Sequence, residues 1–192
     1  LPPAQPIKLI DDASQYDADL EFGNGLANNL VLSGWGRTST DGNESTDILQ
    51  KTTLTGVSDN NCALSWVWFG LENDFICANA FNKGSCNGDS GGPLIWQDKN
   101  AISDADMGYR LAGVVSFGNT LQCAYNQLPD VYTQVNTHVN WIKLQIGNYQ
   151  VPDPTFTADI FDVNFIPTEK KGGSFGSIYL LLLSLLLFVR RK

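Results

Sequence analysis

At 192 residues the chain is long enough for one compact domain with extensions. Its 20 acidic and 12 basic residues leave a net charge of −8, and no run of Lys and Arg precedes the terminal RRK. This excludes nucleic acid as a partner, because phosphate contacts need clustered basic side chains.

In chain order, the start at Leu1 suggests a processed product or a piece of a longer chain. Residues 1–24 carry prolines, acids and glycines, with only residues 7–10 apolar, and read as a connector. From residue 25 to 147 the pattern changes. NNLVLSGWG, LQKTTLTGV, DFICA, PLIWQ, RLAGVVSFG and DVYTQV are short runs rich in β-branched and aromatic residues, separated by Gly, Asn and Asp clusters. They predict an all-β domain, an antiparallel sandwich or barrel rather than βαβ units. Asn43-Glu44-Ser45, between the first two runs, is a glycosylation sequon. The acids of ISDADMGYR lack the ordered ligand loop of a calcium site and are expected to form a solvated turn. A helix is predicted over residues 139–146, with Asn136 or Thr137 as its cap and Gly147 as its stop.

Residues 148–177 mix prolines, acids and small residues without a period and read as a linker. The tail, residues 178–192, is IYLLLLSLLLFVRRK. An uninterrupted leucine run with a basic end suits a membrane anchor, although residues 175–189 would span only about 22 Å as a helix against a hydrocarbon core of roughly 30 Å. Gly172-Gly173-Ser174 leaves a lipid-anchor signal as an alternative, and a buried helix is another. The 4 cysteines include no C-x-x-C pair, which favours two disulfides over a zinc site. Together with the sequon they point to the secretory pathway.

The stretch with chemistry in it is GSCNGDSGGPL, residues 84–94, where Ser90 stands in a glycine-studded turn. Attack on a peptide carbonyl creates an oxyanion, and backbone N–H donors stabilise it if the chain curls tightly around the nucleophile. Glycines permit that curl. A serine hydroxyl also needs a base, and the chain's 1 histidine, His138, lies inside the predicted terminal helix region.

The residues Gly88 to Leu94 complete the GDSGGPL motif, and here the sequence resembles the trypsin and chymotrypsin family of serine proteases. Further likenesses are Ser33-Gly34-Trp35-Gly36 to the family's SGWG strand, Val115 to Gly118 to its VSWG segment, Pro129 to Tyr132 to PGVY, and Val139 to Ile142 to the closing helix. The resemblance covers roughly residues 5–147. It implies the second antiparallel Greek-key β-barrel of a two-barrel protease, with a C-terminal helix. It also implies Ser90 as nucleophile, the N–H groups of Gly88 and Ser90 as oxyanion hole, and bridges Cys62–Cys77 and Cys86–Cys123. A third common bridge is absent at both its positions, occupied by Leu30 and Trp96.

In that family the triad aspartate and histidine precede the serine by about 90 and about 140 residues. No acid before Ser90 stands in the family's acidic motif, and His138 falls where a structural or surface side chain is ordinary. The expected activity is therefore a serine-type endopeptidase acting on polypeptides, present here without its first barrel, its triad histidine and its triad aspartate. The alternative is a protease-fold binding module without activity. By resemblance, Asp89 pairs in the active form with a new amino terminus, so in this chain its carboxylate is expected to be unpaired and its loop zymogen-like.

The substrate pocket implied by the resemblance comprises Gly84, Ser85, Ser116, Phe117, Gly118 and Asp130. Gly84 stands where trypsin-like members carry an aspartate, and Asp130 replaces the glycine of PGVY. The combination is similar to crustacean collagenolytic serine proteases and implies broad specificity that includes basic side chains. No cofactor or metal is called for.

Overall fold

The computed structural model describes residues 5–25, 30–67, 72–147 and 153–161. Six strands close an antiparallel barrel: β2 (Leu30–Gly34), β3 (Gln50–Val57), β4 (Phe75–Asn79), β5 (Pro93–Gln97), β6 (Tyr109–Phe117) and β7 (Asp130–Gln134). Around the barrel the order is β2, β3, β4, β7, β6, β5, and β5 pairs back to β2. A two-residue strand β1 (Lys8–Leu9) adds to the outside of β6 in parallel. The Greek-key barrel and the closing helix α3 (Val139–Ile146) match the sequence reading.

Alternation along the strands builds the interior. Leu30, Leu32, Leu54, Ile76, Ala78, Leu94, Trp96 and Tyr132 join one buried cluster, and a smaller one surrounds Cys62, Cys77 and Val131. Leu30 and Trp96 are register partners across β2 and β5, so the residues standing where a third bridge is common do face each other. Apolar packing takes over from the covalent link there. Trp96 also donates from its indole to Glu21 at 3.1 Å.

Two helices were not anticipated. The segment read as a connector holds α1 (Asp12–Asn24), capped by the Asp11 carboxylate on the Ser14 N–H and ended by Gly25 in the left-handed region at φ 62°. Its buried residues are Ser14, Gln15, Ala18 and Phe22. Half of that face is polar, so no apolar helical period shows in the sequence. Phe22 packs over Gly56 of β3, where any side chain would collide with its ring. Helix α2 (Asp59–Trp66) is short, starts at a Ser58 cap and carries Cys62 to its bridge with Cys77. At α3 the expected stop at Gly147 is present, but the cap differs: residues 136–138 form a 3-10 turn, and Thr137 hydroxyl donates to the Gln134 carbonyl.

The acids of ISDADMGYR also depart from expectation. Asp106 is buried rather than solvated, with one carboxylate oxygen 2.7 Å from Lys8 Nζ and 3.0 Å from the Arg110 guanidinium. Burial pushes its carboxyl up, but Lys8, the Gly108 N–H and Arg110 outweigh that and hold it below the ordinary range. The cluster ties β1 to β6.

Residues 153–161, within the stretch read as a linker, lie against the barrel. Phe156 and Phe161 flank Tyr109 at ring-centroid distances of 5.4 and 6.0 Å, and the Tyr109 hydroxyl donates to Asp159 and accepts from the Ile160 N–H. Among the described residues no helix is long and apolar enough to cross a membrane, and the apolar tail at 178–192 lies outside them.

Removing one member of a buried charge cluster strands the others, at a cost of about 3–5 kcal/mol. Asp106→Ala is expected to lower the unfolding free energy of the full-length protein, from urea titration, by that amount at neutral pH. The gap should begin to close below about pH 4, where an unfolded aspartate takes up its proton, and vanish only once pH has fallen through the lowered value of the native carboxyl.

Candidate active site

The turn bearing Ser90 is pinned from several sides before any side chain acts. The Asp89 N–H donates to the Cys86 carbonyl and the Gly92 N–H to the Asp89 carbonyl, closing two successive turns. Gly91 N–H donates to Val115, and Val115 N–H returns a bond to Gly92, which ties the loop to β6. Gly88 and Gly91 take φ of 106° and 82°, values that L side chains resist. The Cys86–Cys123 bridge holds the loop on its other flank.

Within this frame the Asp89 carboxylate points inward. One oxygen accepts the Gly36 N–H at 2.8 Å and the other the Cys86 N–H at 3.0 Å. A Cβ on Gly34 or Gly36 would overlap that carboxylate, so the SGWG strand supplies both the donor and the space. The carboxylate expected to be unpaired thus has two backbone partners. Ser90 is left exposed, and the N–H groups of Gly88 and Ser90 donate to no group among the described residues. Beside Asp89 lies a cavity of about 200 Å³, lined by Gly34, Gly36, Thr52, Gly84 and Asp89 among others. The Thr52 hydroxyl is buried and has no hydrogen-bond partner among the described residues.

The sequence-predicted pocket residues come together at the open ends of β6 and β7. Asp130 begins β7 and is 4% exposed, with one carboxylate oxygen accepting the Ser85 N–H at 2.6 Å. Side chains on Gly84 or Gly118 would overlap its oxygens, so it is wedged between two bare stretches of backbone. Burial pushes the Asp130 carboxyl up to about 6, partly offset by Ser85, and the negative charge of Asp89 adds to the rise. Ser116 is the residue passed over where the register shifts between Val115 and Phe117, a bulge that leaves it exposed. Phe117 is held edge-on by Trp66 and Phe75, at 5.2 and 6.1 Å.

His138 is not brought to this site. It is exposed in the 3-10 turn before α3 and bonds to nothing in the Ser90 loop. Asn43 is exposed on the loop between β2 and β3, where its amide donates to Asp41. The sequence reading missed Tyr132, whose buried hydroxyl lies beside Ser85 and feels both Asp130 and Asp89. It also read Gly36 only as a strand landmark. A family motif names residues, whereas a role as amide donor depends on which strand meets the loop.

The family model described as Trypsin matches residues 13–142. The chain belongs to the trypsin family of serine proteases. It is 43% identical over 123 residues to Trypsin-1 of Astacus astacus, covering 63% of this chain and 48% of that protein. It is 35% identical over 120 residues to chymotrypsin-like elastase family member 3B of Macaca mulatta, covering 62% and 44%. The clotting factor G beta subunit of Tachypleus tridentatus is 35% identical over 123 residues, covering 59% and 37%. The chain thus spans about half, or less, of the length of the trypsin-family relatives it matches. The two disulfides expected for the family are formed.

Between about pH 4, where an unfolded aspartate titrates, and about pH 6, native Asp130 keeps a proton that the unfolded chain has lost. Stability therefore falls as pH rises through that window. Asp130→Asn lacks the fall, so its unfolding free energy from urea titration should gain on wild type between acid and neutral pH, by on the order of 3 kcal/mol. A constant difference would show that burial does not strain the carboxylate.

Proposed function

We propose that the full-length protein carrying this chain is a serine endopeptidase with Ser90 as its nucleophile. The observation that carries the reading is the Ser90 loop: an exposed serine at a turn whose neighbouring carboxylate is already anchored, with two backbone donors unused. In the reaction the Ser90 hydroxyl attacks the peptide carbonyl and its proton passes to a histidine base. The carbonyl oxygen becomes an oxyanion held by the Gly88 and Ser90 N–H groups, the amine leaves with the proton, and water hydrolyses the acyl-enzyme. Base and orienting aspartate come from a first barrel outside this chain. The length of the relatives leaves room for one, and α3 offers Trp141 and Leu144, 62% and 78% exposed, as an apolar surface.

The cavity beside Asp89 is the seat of the amino terminus released on activation, whose ammonium replaces a backbone amide as partner of the carboxylate. Ser116 and Gly118 offer main-chain groups to an extended substrate, and Gly84 with Asp130 makes a pocket of broad preference that takes basic side chains. The disulfides and exposed Asn43 sequon fit a secreted glycoprotein, with the 178–192 tail as its membrane anchor.

Labelling by a fluorophosphonate tests the nucleophile directly. The activated full-length protein should be modified at Ser90, and Ser90→Ala should lose labelling and about 10⁶-fold in kcat. Absence of labelling would favour a protease-fold binding module instead. Asp89→Asn removes one partner of the activation pair, a loss of about 3–5 kcal/mol, and should lower kcat/KM by about 10²–10⁴-fold while the protein still folds.

A further inference from the structure

We propose that Asp130 is a proton-operated selector: ionised, it admits a basic substrate side chain to the pocket, and protonated, it favours a neutral one. The inference rests on the protease reading above and assigns its pocket a regulation by pH. Its basis is how little accompanies this carboxylate in the fold. Asp130 is 4% exposed, and its hydrogen bonds come from one residue, Ser85, through the backbone N–H and the hydroxyl. Gly84 and Gly118, which flank it, have no side chains to screen it, and any they had would overlap its oxygens.

Among the described residues, the groups facing it from each packed element include no counter-cation. From the 84–90 loop come the Ser85 amide and hydroxyl and the Asp89 carboxylate, which has the same sign. Lys83 of that loop is exposed, and no ion pair links it to Asp130. From β7 itself comes the Tyr132 phenol, whose ionisation burial pushes well above 10, so it stays neutral across the range. The β6 end contributes Ser116, Phe117 and Gly118, and the register partner in β4 is Ala78, none of which titrates there.

A buried carboxylate with no cation costs several kcal/mol while ionised, and a substrate ammonium or guanidinium relieves that cost. Burial pushes the carboxyl up to about 6, between mildly acid and neutral pH. Below it the pocket floor is neutral, so a cation entering pays its desolvation without a partner while an apolar side chain no longer meets a charge. In an activated enzyme the amino terminus neutralises Asp89 and removes the smaller cause of the shift. Burial, the larger cause, remains.

The test is the ratio of kcat/KM for two peptides that differ only in Arg or Leu at the cleaved position, measured with activated full-length protein from about pH 5 to about pH 7.5. Ionisation of the catalytic base affects both substrates and cancels in the ratio. With the carboxyl at about 6, the ionised fraction at pH 5 is roughly a tenth, so the Arg-to-Leu ratio should rise on the order of 10-fold across the range. In Asp130→Asn the ratio should be flat. A flat wild-type ratio, or the same rise in the variant, overturns the selector while leaving the protease reading intact. Cleavage of neither peptide together with no fluorophosphonate labelling of Ser90 overturns both. Should the variant fail to fold, competitive inhibition of the wild type by benzamidine decides. Its amidinium stays charged, so its inhibition constant should weaken on the order of 10-fold from about pH 7.5 to about pH 5, and an unchanged constant overturns the selector.

Discussion

The site depends first on the anchoring of one carboxylate. Asp89 precedes Ser90, and its oxygens reach across to the Gly36 N–H of the strand end and back to the Cys86 N–H of its own loop. Those two bonds decide which way the turn curls, and hence that Ser90 projects outward while the neighbouring N–H groups stay unused. Charged acceptors make the stronger class of backbone hydrogen bond. The anchoring is possible only because Gly34 and Gly36 present no side chains toward the loop. A segment far away in sequence thereby sets the conformation of the Ser90 turn.

Three carboxylates buried or partly buried in this barrel are stabilised in three different ways. Asp106 has two cations, Asp89 has two backbone amides, and Asp130 has the amide and hydroxyl of Ser85 with a like charge nearby. Asp106 ties β1 to β6 on the outside of the barrel, where full compensation brings stability. Asp130 is the least compensated, and incomplete compensation of a buried charge leaves an affinity for something else. A barrel optimised for stability alone would place a neutral residue there.

Much of the site was legible because it is carried by short motifs with fixed internal spacing. The curl of residues 84–94 follows from its glycines, and the register of Leu30 opposite Trp96 agrees with the paired loss of a bridge. What escaped was whatever depends on polar burial. Helix α1 hides Ser14 and Gln15 as well as Ala18 and Phe22, so periodicity of apolar residues could not reveal it. Asp106 looked like one of several surface acids in its turn, and only β1, arriving from the other end of the chain, encloses it with Lys8.

By itself the sequence determined the strand pattern, the glycine-bearing turn and the serine it carries. These are local properties, set by side-chain alternation and by where a chain can bend. Only the tertiary structure decided the partners of Asp89 and the burial of Asp130 and Tyr132 beside Ser85. Each of these is a matter of which polar groups meet after water has been removed, and that is settled by contacts between strands distant along the chain.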